Sequence, residues 1–230
     1  MNAEVLRDPE AVARRAAAFI AELARDADSA RGRFLFATSG GSTPWRMLEL
    51  LAAEDVPWPR VHVFQVDERV VAASDPARNL TRLRANLLDR VPLLLDHVHG
   101  MPVEAADLDA GAARNAATLR QFAGTPPVLD LVHLGLGRDG HTASLVPGDG
   151  VLDVVGADVA VTALYEGYRR MTLTYPVLSV ARHILWVVTG AEKASALVRL
   201  RAGDWSIPAG RVAARRALVL ADAAAAGESA

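Results

Sequence analysis

The sequence contains no cysteine among its 230 residues. This absence excludes disulfide bonds, zinc sites built from thiolates and cysteine nucleophiles, and it fits a protein from a reducing compartment. Any catalysis must therefore come from the side chains of histidine, aspartate, glutamate, arginine, lysine or serine.

Long apolar runs and clusters of basic residues are missing as well. No apolar run approaches the roughly 20 residues that span a bilayer, and residues 1–15 carry too many charges for the apolar region of a secretory signal. The formal net charge is −2, and no Lys/Arg-rich run offers a surface for nucleic acid or for an anionic membrane. These absences predict a cytoplasmic protein that binds neither nucleic acid nor a membrane.

The composition is that of a globular protein with a large core. Hydrophobic residues make up 51% of the chain and charged residues 23%, and a chain of this length can bury one large core. We therefore expect residues 1–230 to form a single domain. For the oligomeric state we expect a monomer, with a dimer as the alternative.

Apolar segments of strand length alternate with amphipathic segments of helix length. The strands are predicted at residues 34–38, 61–70, 129–136, 158–163, 171–175, 184–189 and 217–220. The helices are predicted at residues 9–27, from 44, at 79–88, at 107–122, from 176 and at 191–200. This alternation favours an α/β fold with a parallel sheet.

The strongest functional signal lies in residues 128–148, VLDLVHLGLGRDGHTASLVPG. A nearly continuous apolar run, typical of a strand covered on both faces, leads into a glycine-rich turn that carries Asp139 and His141. Ligands of parallel sheets bind beyond the carboxyl ends of the strands. The Asp139 carboxylate can bind one imidazole nitrogen, fix the tautomer and make the other nitrogen a better base. The pair is therefore a candidate base with its orienting group, although an isolated histidine is more often structural.

The letters GLGRDG at residues 135–140 also fit the dinucleotide-binding fingerprint, with Asp158 downstream for a ribose contact. We disfavour this alternative because Pro147 and Gly148 leave room for only a turn or two of helix. The fingerprint also normally opens the first βαβ unit of a domain, whereas this one lies in mid-chain.

A second glycine turn, SGGSTP at residues 39–44, joins a predicted strand to a predicted helix. Pro44 suits the first turn of a helix, and the backbone N–H groups around Gly40, Gly41 and Ser42 can bind a phosphate at the positive end of that helix. An ordinary helix cap by Ser42 or Thr43 is the alternative. Because a cap needs neither preceding glycine, we favour phosphate binding.

Other charged and polar residues stand where predicted strands end or helices begin. Asp67, Glu68 and Arg69 end an apolar strand, and Asn79 begins the next helix, where it can face the same crevice. Lys193 lies in the first turn of a helix, where a cation is unfavourable against the helix dipole. The position of Lys193 therefore favours an anionic partner.

These motifs together carry a family resemblance. SGGSTP, DERVV, Asn79, GLGRDGHTASLVPG, RRMTLTYPVL and VTGAEKA occur in the order typical of 6-phosphogluconolactonases, which the chain resembles from about residue 37 to residue 200. The letters TASLVPG after the histidine separate it from the related glucosamine-6-phosphate deaminases. The resemblance implies a doubly wound, mainly parallel sheet with helices on both faces and an enzyme of the oxidative pentose phosphate pathway.

The resemblance also implies a role for each matching residue. It makes His141 the base and Asp139 the residue behind it. The substrate-binding residues that it implies are Gly40, Gly41, Ser42, Asp67, Arg69, Asn79, Arg170 and Lys193. The sequence does not decide which of the cations Arg69, Arg170 and Lys193 holds the substrate phosphate.

The reaction implied is hydrolysis of 6-phospho-D-glucono-1,5-lactone without a metal or cofactor. His141 takes a proton from water, hydroxide adds to the lactone carbonyl, and the tetrahedral oxyanion collapses with ring opening. Ser144, close after His141, leaves a covalent route formally open. The chain departs from the family pattern at Arg78, where a serine is usual, and at residues 165–168, which replace a proline-rich segment.

Two other functions are compatible with these motifs. An aldose–ketose isomerase or deaminase of amino-sugar phosphates would use Asp67 to abstract a proton and His141 to assist ring opening. A sugar-phosphate-sensing module of a transcriptional regulator would use the same phosphate site without turnover, but the sequence offers no basic DNA-binding helix pair.

Overall fold

The computed structural model describes residues 1–41, 43–212 and 216–228. Within these ranges the strands are β1 (Asn2–Leu6), β2 (Phe34–Thr38), β3 (Val61–Gln65), β4 (Asp67–Arg69), β5 (Val98–His99), β6 (Leu131–Leu134), β7 (Val159–Val161), β8 (Arg170–Leu173), β9 (His183–Val188) and β10 (Ala217–Asp222). The α-helices are α1 (Pro9–Arg31), α2 (Pro44–Leu51), α3 (Asn79–Asn86), α4 (Leu108–Ala123), α5 (Tyr175–Val180), α6 (Ala194–Arg201) and α7 (Ala223–Ala226). Short 3-10 helices lie at Trp58–Arg60, Leu88–Arg90, Leu95–His97, Gly150–Asp153, Ala191–Lys193 and Pro208–Arg211.

The main sheet has the strand order β1-β10-β9-β6-β2-β3-β5, and its neighbouring strands are parallel. From β2 the chain proceeds outward to β3 and β5, whereas from β6 it proceeds in the opposite direction to β9 and β10. The order therefore reverses between β2 and β6. The carboxyl ends of strands at such a switch point form a crevice, and both glycine turns follow these two strands.

Helices cover both faces of the sheet. Successive residues of the central strands therefore point alternately into two hydrophobic cores, one on each face. On β2, Phe34 and Phe36 pack with α1 and α2, whereas Leu35 and Ala37 pack in the core that α4 and α6 cover. All four residues of β6 are buried. The predicted doubly wound α/β fold with helices on both faces is confirmed.

Helix α1 illustrates how local sequence defines an element. The Asp8 carboxylate accepts a hydrogen bond from the Ala11 N–H at 2.7 Å, Pro9 occupies the first turn, and Gly32 ends the helix in the left-handed region with φ of 69°.

Among the helices of the described residues, none combines the length and the apolar character that a membrane span requires.

The structure divides residues 61–70, which the sequence predicts as one strand. Strand β3 ends at Gln65, and after Val66 the chain enters β4, which pairs antiparallel with β8. Strand β8 also pairs antiparallel with β7, so that these three strands form a small second sheet. The prediction was wrong here because the register change depends on β8, about a hundred residues further along the chain.

The buried His133 side chain is expected to make the stability of the fold depend on pH. It is fully buried in β6, and burial lowers its pKa from 6.5 to about 3. The unfolded chain binds a proton at this histidine near its ordinary pKa, so unfolding takes up a proton between those two values. The free energy of unfolding therefore decreases as the pH falls through this window, by up to about 1.4 kcal/mol per pH unit.

We expect His133→Asn to reduce this pH dependence, because asparagine does not titrate. Asparagine also keeps a hydrogen-bonding group opposite Thr38, whose hydroxyl lies 3.1 Å from His133 Nδ1, so the variant should still fold. The measurement is chemical denaturation of both proteins between about pH 4.5 and 7.5, since a titrating buried histidine changes the slope of stability with pH. Equal slopes for the two proteins would contradict the assignment.

Candidate active site

A cleft of about 420 Å³ opens at the carboxyl ends of the central strands. The predicted site residues that line it are Gly40, Gly41, Asp67, Arg69, Asn79, His141, Arg170 and Lys193. Asp139 lies behind His141 and binds it directly. Ser42 lies outside the described residues. The structure thus brings together residues from two glycine turns, the small second sheet and the starts of α3 and α6.

The turn after β6 orients His141. The Gly137 N–H donates to the His141 carbonyl at 2.8 Å, and Asp139 Oδ1 accepts the His141 N–H at 3.1 Å. The same carboxylate oxygen lies 2.6 Å from His141 Nδ1. Because an ionised carboxylate only accepts hydrogen bonds, this contact assigns a proton to Nδ1, and in the neutral imidazole the free electron pair then lies on Nε2.

The Asp139 carboxyl is held in its ionised form. Burial raises its pKa, but hydrogen bonds and charge interactions with His141, together with a hydrogen bond from Tyr165, outweigh this effect and lower the pKa below its usual value. Asp139 therefore stays negative at neutral pH. It can orient the imidazole and stabilise the imidazolium that forms when Nε2 accepts a proton.

At two positions of the site, Gly137 and Gly40, a neighbouring side chain lies so close to the backbone that a larger residue would collide with it. A Cβ at Gly137 would overlap His141 Nδ1, and a Cβ at Gly40 would overlap the Asn79 carboxamide oxygen. The Gly137 position lets the imidazole lie against the backbone of its own turn. The Gly40 position lets Asn79 reach the loop after β2, so that α3 and this loop meet in the cleft.

We expect Gly40→Ala to displace Asn79 or the loop and to lower kcat/KM by on the order of 10²-fold, since misplacement of site groups by about 1 Å has effects of this size. The matched control is Gly156→Ala, because a Cβ at Gly156 meets nothing within 4 Å. Steady-state kinetics of both variants on the phosphorylated lactone that the family resemblance implies provide the comparison. Wild-type kinetics for Gly40→Ala would show that the close contact with Asn79 is not needed.

The loop after β2 leaves the first N–H groups of α2 without a cap from Thr43. The Thr43 side chain makes no capping hydrogen bond, and its hydroxyl lies 3.2 Å from the Thr189 hydroxyl instead. Ser39 anchors the start of the loop, because its hydroxyl donates to the His133 carbonyl at 3.1 Å. This arrangement favours anion binding by the loop.

Glu68 does not face the cleft as an exposed residue but lies buried, where it binds the backbone at the start of α3. Its carboxylate is fully buried and accepts hydrogen bonds at 2.8 Å from the N–H groups of Asn79 and Leu80, at the start of α3. It also accepts from Gln65 Nε2 at 2.7 Å and lies 3.3 Å from Arg78 Nε. The unusual Arg78 is therefore part of a buried ion pair that supports α3.

Arg69 and Arg170 are direct neighbours across the pairing of β4 and β8. Arg69 Nη1 donates to the Ala77 carbonyl at 2.7 Å and to Asn79 Oδ1 at 3.1 Å, and Arg170 Nη2 lies 3.3 Å from a Glu166 carboxylate oxygen. Like charges directly opposite each other on a sheet are unfavourable. Two guanidinium groups at this edge of the cleft therefore favour a bound anion.

Asp67, which lines the cleft, is paired with the buried Ser144. The Ser144 hydroxyl donates to Asp67 Oδ2 at 2.6 Å, and Ser144 is fully buried. A serine nucleophile needs an accessible oxygen and a base that takes its proton. The geometry therefore disfavours the covalent route through Ser144, which the sequence left open.

The dinucleotide alternative is wrong in this structure. After Gly140 the chain forms a tight turn, in which Thr142 and Leu145 pair, rather than a helix. Asp158 is engaged elsewhere, since its carboxylate lies 2.6 Å from Arg120 Nε on α4. The glycines of this turn thus serve the histidine and not a pyrophosphate.

Sequence reasoning missed one residue that contacts the candidate pair. The Tyr165 hydroxyl donates to Asp139 Oδ2 at 3.2 Å, and its ring meets the His141 ring edge to face, with 5.6 Å between the centroids. Asp139 and Tyr165 are separated by 26 positions in the sequence. No local spacing in the sequence signals such a contact.

Comparisons with known proteins identify the family to which the chain belongs. The chain matches the family described as glucosamine-6-phosphate isomerases/6-phosphogluconolactonase over residues 7–220. It is 37% identical over 201 residues to a 6-phosphogluconolactonase of Nostoc sp., an alignment that covers 86% of this chain and 83% of that protein. A crystal structure of a 6-phosphogluconolactonase from Shewanella baltica superposes with a TM-score of 0.85 at 27% identity, covering 96% of this chain and 97% of that one.

A monomeric glucosamine-6-phosphate deaminase superposes with a TM-score of 0.87 over 99% of both chains, but at 19% identity this likeness shows the fold alone. The family match covers most of the chain, and the relative from Nostoc sp. is similar over most of its own length. The chain therefore belongs to the family of glucosamine-6-phosphate isomerases and 6-phosphogluconolactonases.

Proposed function

We propose that the protein is a 6-phosphogluconolactonase, which hydrolyses 6-phospho-D-glucono-1,5-lactone to 6-phospho-D-gluconate. The observation that carries this proposal is the joint presence, in one cleft of about 420 Å³, of an oriented His141–Asp139 pair and the cations Arg69, Arg170 and Lys193. A cleft of this size suits a small-molecule ligand. The similarity to proteins named 6-phosphogluconolactonase supports the same substrate class.

In the proposed mechanism, His141 Nε2 takes a proton from a water molecule and the hydroxide adds to the lactone carbonyl carbon. The tetrahedral oxyanion then collapses, the bond from this carbon to the ring oxygen breaks, and the ring oxygen receives the proton from the imidazolium. Asp139 stabilises the imidazolium between the two proton transfers. An oriented base and a positive potential at the oxyanion are sufficient catalysis for a reactive ester, so the proposal includes no metal or cofactor.

For the phosphate, the proposal assigns the loop at Gly40 and Gly41 together with Arg69. Arg69 is favoured because its partner Asn79 also contacts Gly40, which places the guanidinium and the loop on the same part of the cleft. Arg170, opposite Arg69 on the neighbouring strand, adds to the positive potential there. Guanidinium groups and loop N–H groups are both suited to phosphate oxygens.

The deaminase alternative would require Asp67 to abstract a proton from carbon. Asp67 is only 6% exposed, and its carboxylate already accepts a 2.6 Å hydrogen bond from Ser144. Ser144 therefore occupies one of the two carboxylate oxygens that would have to take the proton from the substrate. The geometry at His141 therefore supports lactone hydrolysis better than proton abstraction at Asp67.

Product analysis with the purified protein tests the proposal. With freshly prepared phospholactone, we expect 6-phosphogluconate to form faster than in buffer, and with glucosamine 6-phosphate we expect no ammonia. Ammonia release without lactone hydrolysis would establish the deaminase alternative, and binding without turnover of either compound would favour the sensing module. The single domain, the cytoplasmic location and the monomeric state stay predictions.

A further inference from the structure

The hairpin turn between β7 and β8 projects Tyr165 toward the candidate active site. The Tyr165 N–H donates to the Tyr168 carbonyl at 3.0 Å, and the Tyr168 N–H donates back to the Tyr165 carbonyl at 3.1 Å. The two residues between them, Glu166 and Gly167, have φ values of 48° and 84°. Positive φ at both central positions is typical of the tight two-residue turn that matches the twist of paired strands. Tyr165 is therefore carried by a well-defined turn.

The Tyr165 hydroxyl engages the carboxylate oxygen of Asp139 that His141 leaves free. It donates to Oδ2 at 3.2 Å, whereas Oδ1 binds His141 Nδ1 at 2.6 Å. Burial and the negative charge of Asp139 raise the pKa of Tyr165, so the phenol keeps its proton and remains a donor at neutral pH. With a partner on each oxygen, the Asp139 carboxylate is held in one orientation.

The ring of Tyr165 also contacts a second charged group of the cleft. The Arg170 guanidinium carbon lies 5.0 Å from the ring centroid, a distance at which a cation is attracted to the ring face. The Arg170 side chain is buried, and Glu166 of the same turn lies 3.3 Å from its Nη2. One turn thus restrains both the His141–Asp139 pair and a cation that lines the cleft.

We propose that Tyr165 is a positioning residue with two separable effects. Its hydroxyl holds Asp139 in the orientation that keeps His141 ready to accept a proton, and its ring holds the Arg170 guanidinium in place for the substrate. This inference rests on the proposed lactone hydrolysis. It predicts that loss of the hydroxyl affects the rate of the chemical step, whereas loss of the whole ring also weakens substrate binding.

Three variants separate these effects. We expect Tyr165→Phe to lower kcat about tenfold, the effect of one lost hydrogen bond, with KM unchanged because the ring still faces Arg170. Tyr165→Leu lowers kcat similarly and in addition raises KM several-fold. Tyr168→Phe is the matched control, because it removes a phenol hydroxyl from the same turn. Equal kinetics for wild type, Tyr165→Phe and Tyr165→Leu would overturn the inference.

A double-mutant cycle distinguishes positioning from a general effect on the fold. If the hydroxyl acts through Asp139, Tyr165→Phe has no further effect on kcat in an Asp139→Ala background, because the group that it orients is gone. Independent, multiplying losses in the double variant would overturn the proposed coupling. Thermal unfolding of each variant identifies any loss that comes from instability.

A spectroscopic measurement keeps the inference testable apart from activity. In NMR spectra of the histidine rings, we expect the His141 Nδ1 proton of Tyr165→Phe to shift and to exchange faster with water, and that of Tyr168→Phe to match the wild type. An unchanged signal in Tyr165→Phe would overturn the inference even in an active enzyme. Inactive wild-type protein would overturn the proposed function, while this signal would still decide the role of Tyr165.

Discussion

Replacing His141 with alanine is expected to lower kcat for lactone hydrolysis by on the order of 10²–10⁴-fold, the usual contribution of a general base. The side chain lies in a turn, is 26% exposed and contacts Asp139 and Tyr165 rather than the hydrophobic cores. Its removal therefore leaves the fold intact. The measurement is kcat after subtraction of spontaneous hydrolysis, with circular dichroism to verify folding.

His183→Asn is a suitable control for this experiment. His183 is also partly buried, but its Nδ1 lies 3.3 Å from the Asp130 carbonyl at the amino end of the sheet, away from the cleft. We expect this variant to keep wild-type kcat. A loss of activity in His183→Asn as large as in His141→Ala would show that the effect comes from the fold rather than from the base.

Replacing Arg69 with alanine is expected to raise KM for the phosphorylated lactone strongly, by a free energy on the order of 1.5–3 kcal/mol for a lost charge-assisted hydrogen bond. Turnover of unphosphorylated gluconolactone should change little, because that substrate has no phosphate to bind. The measurement is kcat/KM for both lactones. Arg69→Lys retains the charge without the paired donors and should give an intermediate loss.

The same pair of substrates tests the other cations of the cleft. Lys193→Ala and Arg170→Ala should each impair the phosphorylated lactone selectively if they contact the phosphate. Equal losses on both lactones for Arg69→Ala would assign Arg69 to the carbonyl or to the fold. The contacts of Arg69 with the Ala77 carbonyl and with Asn79 make the structural explanation the first one to examine in that case.

The parts of the site that the sequence predicts are those encoded locally. The Asp139–His141 pair lies within one turn, and Gly40 and Gly41 lie between a strand and the helix that begins at Pro44. Alternating apolar residues identify a strand that is buried on one face, and a continuous apolar run identifies a strand that is buried on both faces. The carboxyl ends of parallel strands then converge at one edge of the sheet, so that local motifs predict a common site.

The parts that the sequence does not reveal depend on long-range pairing. Strand β4 belongs to a second sheet because β8 pairs with it, and the buried Glu68 carboxylate is bound by the start of α3. The β1 and β5 strands lie at the edges of the main sheet, where β1 is mostly exposed and β5 has only two residues, so neither has a strong apolar pattern. Tyr165 reaches Asp139 through the turn between β7 and β8, which no spacing rule connects to the histidine turn.

The central claim is that the protein hydrolyses a phosphorylated sugar lactone in this cleft, with His141 as the base. A measurement of the rate of acid release tests this claim most directly. Acid release from freshly prepared 6-phospho-D-glucono-1,5-lactone is followed at constant pH with wild-type protein, with His141→Ala at the same concentration and with buffer alone. The predicted result is a wild-type rate far above that in buffer and a His141→Ala rate that falls most of the way back toward it. A His141→Ala rate near that of the wild type, or a wild-type rate equal to that in buffer, would contradict the claim.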